Sequence, residues 1–306
     1  MNWNGVMPAM TTAFHPDMSI DHAMVARHAQ WLIENGCTGI ICLGSLGEAA
    51  TLTLAEKADV LKTVVKAVGD KVPVVSAISA LSTNEAVELA RAAHAAGCKG
   101  LMILPQYVYK GDWRENKAHV AAVLKATPLP VMLYNNPVAY GTDYLPEQIA
   151  ELAGEFANLA AVKESSTDVR RVTAIRALLG DRLAIFVGVD DAIVEGIAAG
   201  AVGWVAGLVN AFPRESVDLF ALAKAGKTQE AFELYRWFLP LLQMDTVPKF
   251  IQLIKLVQAE AGVGSARVRA PRMEVEGAEL KEALACFKKA QENRPAVAVR
   301  STAFSA

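Results

Sequence analysis

Three short stretches of the 306-residue chain carry side chains whose types and placing suit covalent chemistry. Lys163 ends the apolar run Leu159-Ala160-Ala161-Val162, and desolvation at the mouth of a fold lowers the pKa of an amine held there. A neutral amine attacks a carbonyl to form a Schiff base, whereas a solvated lysine stays protonated near neutral pH. The alternative is a lysine that snorkels from a strand end. Tyr134 closes a second apolar run and offers either a phenol that shuttles protons to and from an imine carbon, or a core ring with its hydroxyl satisfied by backbone. Gly44-Ser45-Leu46-Gly47-Glu48 supplies a hydroxyl and closely spaced backbone N–H groups, a cradle for a carboxylate, although glycine turns are common. Pro105-Gln106-Tyr107-Val108-Tyr109 adds a further phenol or an interface aromatic.

These groups need a scaffold that brings them together, and the hydrophobic pattern describes one. Continuous apolar runs at residues 39–43, 72–78, 100–104, 130–134, 159–162, 183–187 and 203–206, with an eighth near 5–10, read as strands covered on both faces. Amphipathic stretches alternate with them, and Thr53 and Ser82 each stand three residues before a glutamate, Glu56 and Glu85, as helix starts do. Gly36-Cys37-Thr38-Gly39, Gly97-Cys98-Lys99-Gly100 and Gly200-Ala201-Val202-Gly203 form a weak repeat in which the first glycine suits a left-handed helix C-cap. Eight βα units across about residues 5–226 are the count for a closed (β/α)₈ barrel, a TIM barrel, whose active site lies at the carboxyl ends of its strands. Beyond Gly226 only helical periods remain, at 228–244, 248–261 and 277–290, so the expected organisation is a barrel over 1–226, a C-terminal helical appendix over 227–292 and a tail over 293–306.

Composition narrows the partners. With 53% hydrophobic and 20% charged residues the chain can bury a large core, and 30 basic against 32 acidic side chains leave no basic field for nucleic acid or an anionic membrane. The start of the chain lacks a signal-peptide pattern, and no apolar run approaches the roughly 18 residues of a membrane span, so a cytoplasmic protein is expected. Cys37, Cys42, Cys98 and Cys286 have no metal-like spacing and read as small core residues. The five histidines form no H-x-x-x-H pair, those in helix patterns read as partly exposed, and neither metal nor cofactor is expected. Gly44-x-x-Gly47 lacks the features of a nucleotide loop. Asp190 and Asp191 read as caps of the next helix, with contact to a polar substrate as the alternative.

The motifs Gly44-Ser45-Leu46-Gly47-Glu48, Tyr134-Asn135-Asn136-Pro137 and Val162-Lys163-Glu164-Ser165, in that order over about residues 3–290, resemble those of the dihydrodipicolinate synthase and N-acetylneuraminate lyase superfamily. The resemblance implies a class I, Schiff-base mechanism on a 2-oxo acid and a homotetramer built as a dimer of tight dimers. It implies that Lys163 is the Schiff-base lysine, Tyr134 the proton-shuttling tyrosine, Tyr107 the tyrosine that reaches across the tight dimer, and Ser45 the first hydroxyl of the carboxylate turn. The accompanying substrate-binding set is Ser45, Leu46, Gly47, Ser165, Gly188 and Gly207. Two positions depart from the synthase pattern: Leu46 stands where the synthase has a second threonine, and Ala139 where it has an arginine. The missing arginine counts against a true synthase, and Tyr134-Asn135-Asn136-Pro137, Gly203-Trp204-Val205-Ala206-Gly207 and the segment from Pro240 to Leu256 resemble the 1-pyrroline-4-hydroxy-2-carboxylate deaminases of hydroxyproline breakdown, which would release 2-oxoglutarate semialdehyde and ammonia. The alternatives are dihydrodipicolinate synthase or another pyruvate-dependent aldolase, a sugar-acid dehydratase, and a non-catalytic binding barrel.

Overall fold

The computed structural model describes residues 1–106 and 108–295. Eight parallel strands, β1 (Gly5–Pro8), β2 (Ile40–Cys42), β3 (Val74–Ile78), β4 (Gly100–Ile103), β5 (Val131–Asn135), β6 (Leu159–Glu164), β7 (Ala184–Val187) and β8 (Gly203–Ala206), pair with their sequence neighbours, and β1 pairs with β8. The parallel bridge Ala9–Ile41, with bonds from Met10 N–H to Ile41 O and from Thr38 N–H to Val6 O of 2.9 Å each, joins β1 to β2 and closes the barrel. A helix follows every strand and covers its outer face.

The apolar runs are continuous because both strand faces are buried. Alternate residues Met7, Ile41, Val75, Met102, Met132, Ala161, Phe186 and Val205 fill the barrel interior. Their neighbours Val6, Ile40, Val74, Leu101, Val131, Val162, Ile185 and Trp204 pack outward under the helices. Both strands that carry the candidate chemistry run further than the apolar pattern suggests: β5 reaches Asn135 and β6 reaches Glu164, so Lys163 lies within its strand. The polar residues stay in the ladder because their backbone groups still pair across it.

Helix ends follow the sequence signals. Thr53 and Glu56 bond reciprocally at the start of the helix Leu54–Val68. At Ser82 only half of that arrangement forms, since the Glu85 carboxylate accepts from Leu81 N–H instead. Gly36, Gly97 and Gly200 have φ of 97°, 94° and 110° and end their helices with paired 6→1 and reverse-turn bonds, the motif in which only glycine escapes a Cβ penalty.

After the last barrel helix, Pro213–Lys224, come the helices Thr228–Leu242, Phe250–Glu260 and Gly277–Glu292. They share one hydrophobic cluster with the barrel's outer shell: Phe212 meets Phe238 edge-on at 5.8 Å and Phe287 at 6.2 Å. A polar tie reinforces the contact from the mouth side. Glu48, fully buried with φ of 53°, accepts from Lys255 Nζ at 2.7 Å and from Arg269 N–H at 2.9 Å. Lys255 Nζ also donates to Thr12 O at 2.9 Å and lies 4.5 Å from the centre of the Phe14 ring.

Cys37, Cys42 and Cys98 are buried as expected, while Cys286 is partly exposed. Two histidines correct the reading from helix periodicity. His28 and His119 are buried, His28 bonding Asn210 and Gln258 and His119 bonding Thr83, because each points inward from its helix. No helix among the described residues is long and apolar enough to cross a membrane. Of the tail, only residues 293–295 are described.

Removing Lys255 takes from the buried Glu48 carboxylate its nearest cation, at 2.7 Å, and leaves only Arg272 at 4.0 Å. Lys255→Met is expected to cost about 3 kcal/mol of stability in urea unfolding. Adding Glu48→Gln should recover part of that loss. An unchanged midpoint for the single variant would show that the pair does not tie the appendix to the barrel.

Candidate active site

The pairing of β5 with β6 starts with Val131 opposite Leu159 but then sets Met132 opposite Ala161, a step of one residue at Ala160. Side chains in a sheet alternate faces, so this step decides what shares the barrel mouth. It puts Lys163 opposite Tyr134, both facing inward. Without it Tyr134 would lie beside Val162, which faces the outer helices.

Lys163 Nζ sits 4.1 Å from the centre of the Tyr134 ring. Burial brings the amine down to about 8, against the opposing pull of the carboxylates of Asp245 and Asp190. Tyr134 is 6% exposed, accepts a 3.0 Å hydrogen bond from Asn136 Nδ2, and is pushed up to about 12 by burial, so its phenol keeps its proton at neutral pH. A cavity of about 490 Å³ opens above them.

The Ser45 turn reaches the same cavity from β2. Ser45 and Leu46 both line it, and among the described residues their backbone N–H groups donate to nothing. Ser45 Oγ is hydrogen-bonded to the hydroxyl of Tyr140, whose ring meets Tyr134 edge-on at 5.8 Å. Leu43, just before the turn, has φ of 63°, a strained conformation for a residue with a Cβ. Gly47 does not line the cavity. A Cβ there would come 3.0 Å from Leu43 N and 3.2 Å from Met10 O, so its glycine serves the tight turn and not the ligand.

The other glycines of the expected set do border the cavity. A Cβ at Gly188 would overlap Ser165 Oγ and lie 2.5 Å from Lys163 Cε, and one at Gly207 would overlap the Asp245 carboxyl. Each glycine leaves room for a functional side chain. Ser165 Oγ is buried without a hydrogen-bond partner. Tyr107 lies outside the described residues, and its neighbours Val108 and Tyr109 are 77% and 60% exposed.

Asp190 is not a cap of the next helix. Its buried carboxylate accepts from Trp204 Nε1 at 2.9 Å, Leu208 N–H at 2.8 Å and Gly207 N–H at 3.1 Å, and so pins the turn after β8. A polar network holds the ends of β5 and β6 in a similar way. Asn135 Nδ2 donates to Glu164 Oε2 at 3.1 Å and Asp143 Oδ1 at 3.2 Å, while Glu164 Oε1 accepts from Ser166 N–H at 2.7 Å. Arg171 clamps Asp143 with two bonds of 2.6 and 2.7 Å, and Arg170 pairs with Asp168 at the surface, so neither guanidinium enters the mouth.

Several lining residues had no sequence motif to mark them. Asp245, Phe250, Ile251 and Arg272 come from the C-terminal segment, beyond the last barrel strand, and lean over the barrel mouth. Tyr140 did have a signal. Asn136 caps the short helix Pro137–Tyr140 by accepting from Ala139 N–H at 2.9 Å, and the Asn-Pro start of a helical turn is what carries Tyr140 back over the cavity.

A model of the dihydrodipicolinate synthetase family matches residues 2–290. The chain belongs to that family. It is thereby a class I, Schiff-base-forming lyase. It is 28% identical over 280 residues to the 4-hydroxy-tetrahydrodipicolinate synthase of Desulforamulus reducens, covering 92% of this chain and 95% of that one. With the enzyme of the same name from Halorhodospira halophila it shares 32% identity over 274 residues, 88% of this chain and 91% of that one. The chloride-inhibited dihydrodipicolinate synthase of Acinetobacter baumannii, solved with pyruvate, superposes with a TM-score of 0.89 at 26% identity, covering 95% of this chain and 99% of that one.

The geometry makes Lys163 and Tyr134 separable by experiment. Borohydride trapping of pyruvate is expected in the parent protein and absent in a folded Lys163→Ala variant. Tyr134→Phe should still trap while catalysing turnover about 100-fold more slowly, the scale of a lost acid–base group. Full turnover in that variant would make the phenol structural.

With Lys163 as the expected Schiff-base residue, only its neutral amine attacks, so the trapping rate should rise with pH through a midpoint near 8, where burial holds Lys163. A midpoint at the ordinary lysine value of 10.5 would mean that the amine is solvated.

Proposed function

We infer that the protein uses Lys163 to form an imine with C2 of a small 2-oxo or cyclic 2-imino acid and then eliminates a C4 hydroxyl, with 1-pyrroline-4-hydroxy-2-carboxylate as substrate. The substrate carboxylate rests on the free N–H groups of Ser45 and Leu46. Neutral Lys163 Nζ adds to C2, and transfer of the imine to the lysine opens the ring and frees the C5 amine. Loss of the C3 proton gives the enamine, the Tyr134 oxygen taking that proton as its hydroxyl passes its own to the amine freed at C5, and the enamine electrons expel the C4 hydroxyl. Tautomerisation carries the double bond to C5 as an imine. Hydrolysis at C5 and at C2 then releases ammonia and 2-oxoglutarate semialdehyde and restores the lysine. One water leaves and two enter, so substrate plus one water balances product plus ammonia.

The observation that carries this reading is Ala139 in the cavity wall, where the resemblance leads one to expect an arginine. The rival reading is condensation of pyruvate with aspartate semialdehyde. The names of the relatives support it better than they support deamination, and Arg272 in the lining supplies a cation for a second carboxylate. That guanidinium stands 4.0 Å from Glu48 Oε2, which draws part of its charge toward the Glu48–Lys255 pair.

A homotetramer with Tyr107 entering a neighbour's site belongs to the same proposal. The exposed apolar side chains of Leu81, Val108 and Tyr109 support contact with another copy.

Steady-state kinetics decide between the two outcomes. The expected result is a higher kcat/KM for deamination of the hydroxypyrroline carboxylate than for condensation of pyruvate with aspartate semialdehyde. The reverse order would assign the protein to the synthase reaction.

A further inference from the structure

Elimination of a hydroxyl needs two proton movements at two carbons, one off C3 and one onto the departing oxygen at C4. Tyr134 covers only the first. In barrel order the ends of β5, β6 and β8 carry Tyr134, Lys163 and Gly207, and the Asp245 carboxyl lies against Gly207, where a Cβ would overlap it. Lys163 is therefore flanked by a phenol on one side and a carboxyl on the other. Both border the cavity.

Asp245 sits at the end of the turn Gln243–Asp245, which follows the helix Thr228–Leu242. Its carboxyl makes no hydrogen bond and no ion pair among the described residues, in contrast to Asp190, whose carboxylate is engaged by three donors. A carboxyl with no structural partner, pointed into a cavity that contains a buried amine, is free to serve a ligand.

Resting on the functional reading above, we propose that Asp245 is the acid that protonates the departing C4 hydroxyl. The step balances within the residues named. The C3–H bond breaks and its electron pair forms the enamine. The enamine reforms the imine as a C3–C4 double bond forms and the C4–O bond breaks. The oxygen takes the Asp245 proton and leaves as water. The proton removed from C3 passes by way of the Tyr134 hydroxyl to the amine freed at C5 and from there returns to the Asp245 carboxylate, so no outside acid is consumed.

Such an acid has to hold its proton before the step. Burial and the neighbouring carboxylates Asp190 and Asp191 push Asp245 well above the usual carboxylate range, with Lys163 opposing them. Tyr134, Tyr140 and Arg272 are the other ionisable groups in the cavity wall.

The test compares the full-length parent with Asp245→Asn and Asp245→Ala in three assays. Pyruvate trapping by borohydride and exchange of the pyruvate methyl protons into deuterated water read imine and enamine formation. Release of ammonia from the hydroxypyrroline carboxylate reads hydroxyl loss. Fluoride release from 4-fluoro-2-oxopentanoate reads departure of a group that needs little protonation.

Asp245→Asn is expected to keep trapping and exchange within about threefold, to lose ammonia release by about 100-fold or more, and to keep fluoride release within about tenfold. Unchanged ammonia release overturns the proposal. So does fluoride loss as deep as ammonia loss, which would make Asp245 a positioning residue, and so does absence of trapping in both variants. If the parent traps pyruvate yet releases no ammonia, the functional reading falls and the proposal with it. A failure of the proposal alone shows instead as an active parent with an equally active Asp245→Asn.

Discussion

Burial of the Lys163 amine opposite Tyr134 is the constraint around which the rest of the mouth is arranged. Desolvation favours the neutral amine, and the nearby carboxylates of Asp245 and Asp190 favour the ammonium. Burial wins because the amine lies over an aromatic face in a wall of glycines and apolar side chains. The carboxylates pay for their own burial with raised pKa values, which weakens their pull on the lysine. Gly188 matters for the same reason: any side chain there would displace the lysine stem and the Ser165 hydroxyl from the positions on which the balance depends.

That site needs the C-terminal helices as much as it needs the barrel. The strand ends provide the buried amine of Lys163 and the phenol of Tyr134, while Asp245, Phe250, Ile251 and Arg272 finish the cavity wall. Glu48 makes the dependence mutual. It belongs to the same turn as Ser45, yet its carboxylate is held by Lys255 and by the backbone of Arg269, so a disturbance of the appendix reaches the carboxylate cradle through three residues of chain. A buried pair of this kind contributes less to stability than to the choice of one arrangement, because each charge is costly without the other.

Members of one family can share this machinery and differ in what they do with the enamine. An enamine that meets a second carbonyl forms a carbon–carbon bond, and one that carries a hydroxyl at C4 expels it. The choice lies with the groups beyond the imine, and those are the positions where this chain has Leu46 and Ala139, with Asp245 and Arg272 opposite. Fold and lysine chemistry follow from family membership, whereas the substrate follows from a few side chains in the wall.

The sequence by itself determined the barrel, most helix ends and the inward placing of the reactive groups, because hydrophobic period, caps and C-terminal glycines are local signals that each residue carries with it. Thr53, Gly36 and the runs around Met132 and Ala161 act as their types predict. Lys163, Tyr134 and Ser45 were legible for a related reason, as polar residues where apolar runs end in a fold that gathers such ends at one face. Only the tertiary structure decided the one-residue step at Ala160 that sets Lys163 opposite Tyr134, since register depends on both strands at once. It alone also turned Asp190 toward the β8 turn, relegated Gly47 to the turn's own backbone, and brought Asp245 and Arg272 over the mouth. Those outcomes come from packing between segments far apart in the chain, where no local pattern of residues records which surfaces will meet.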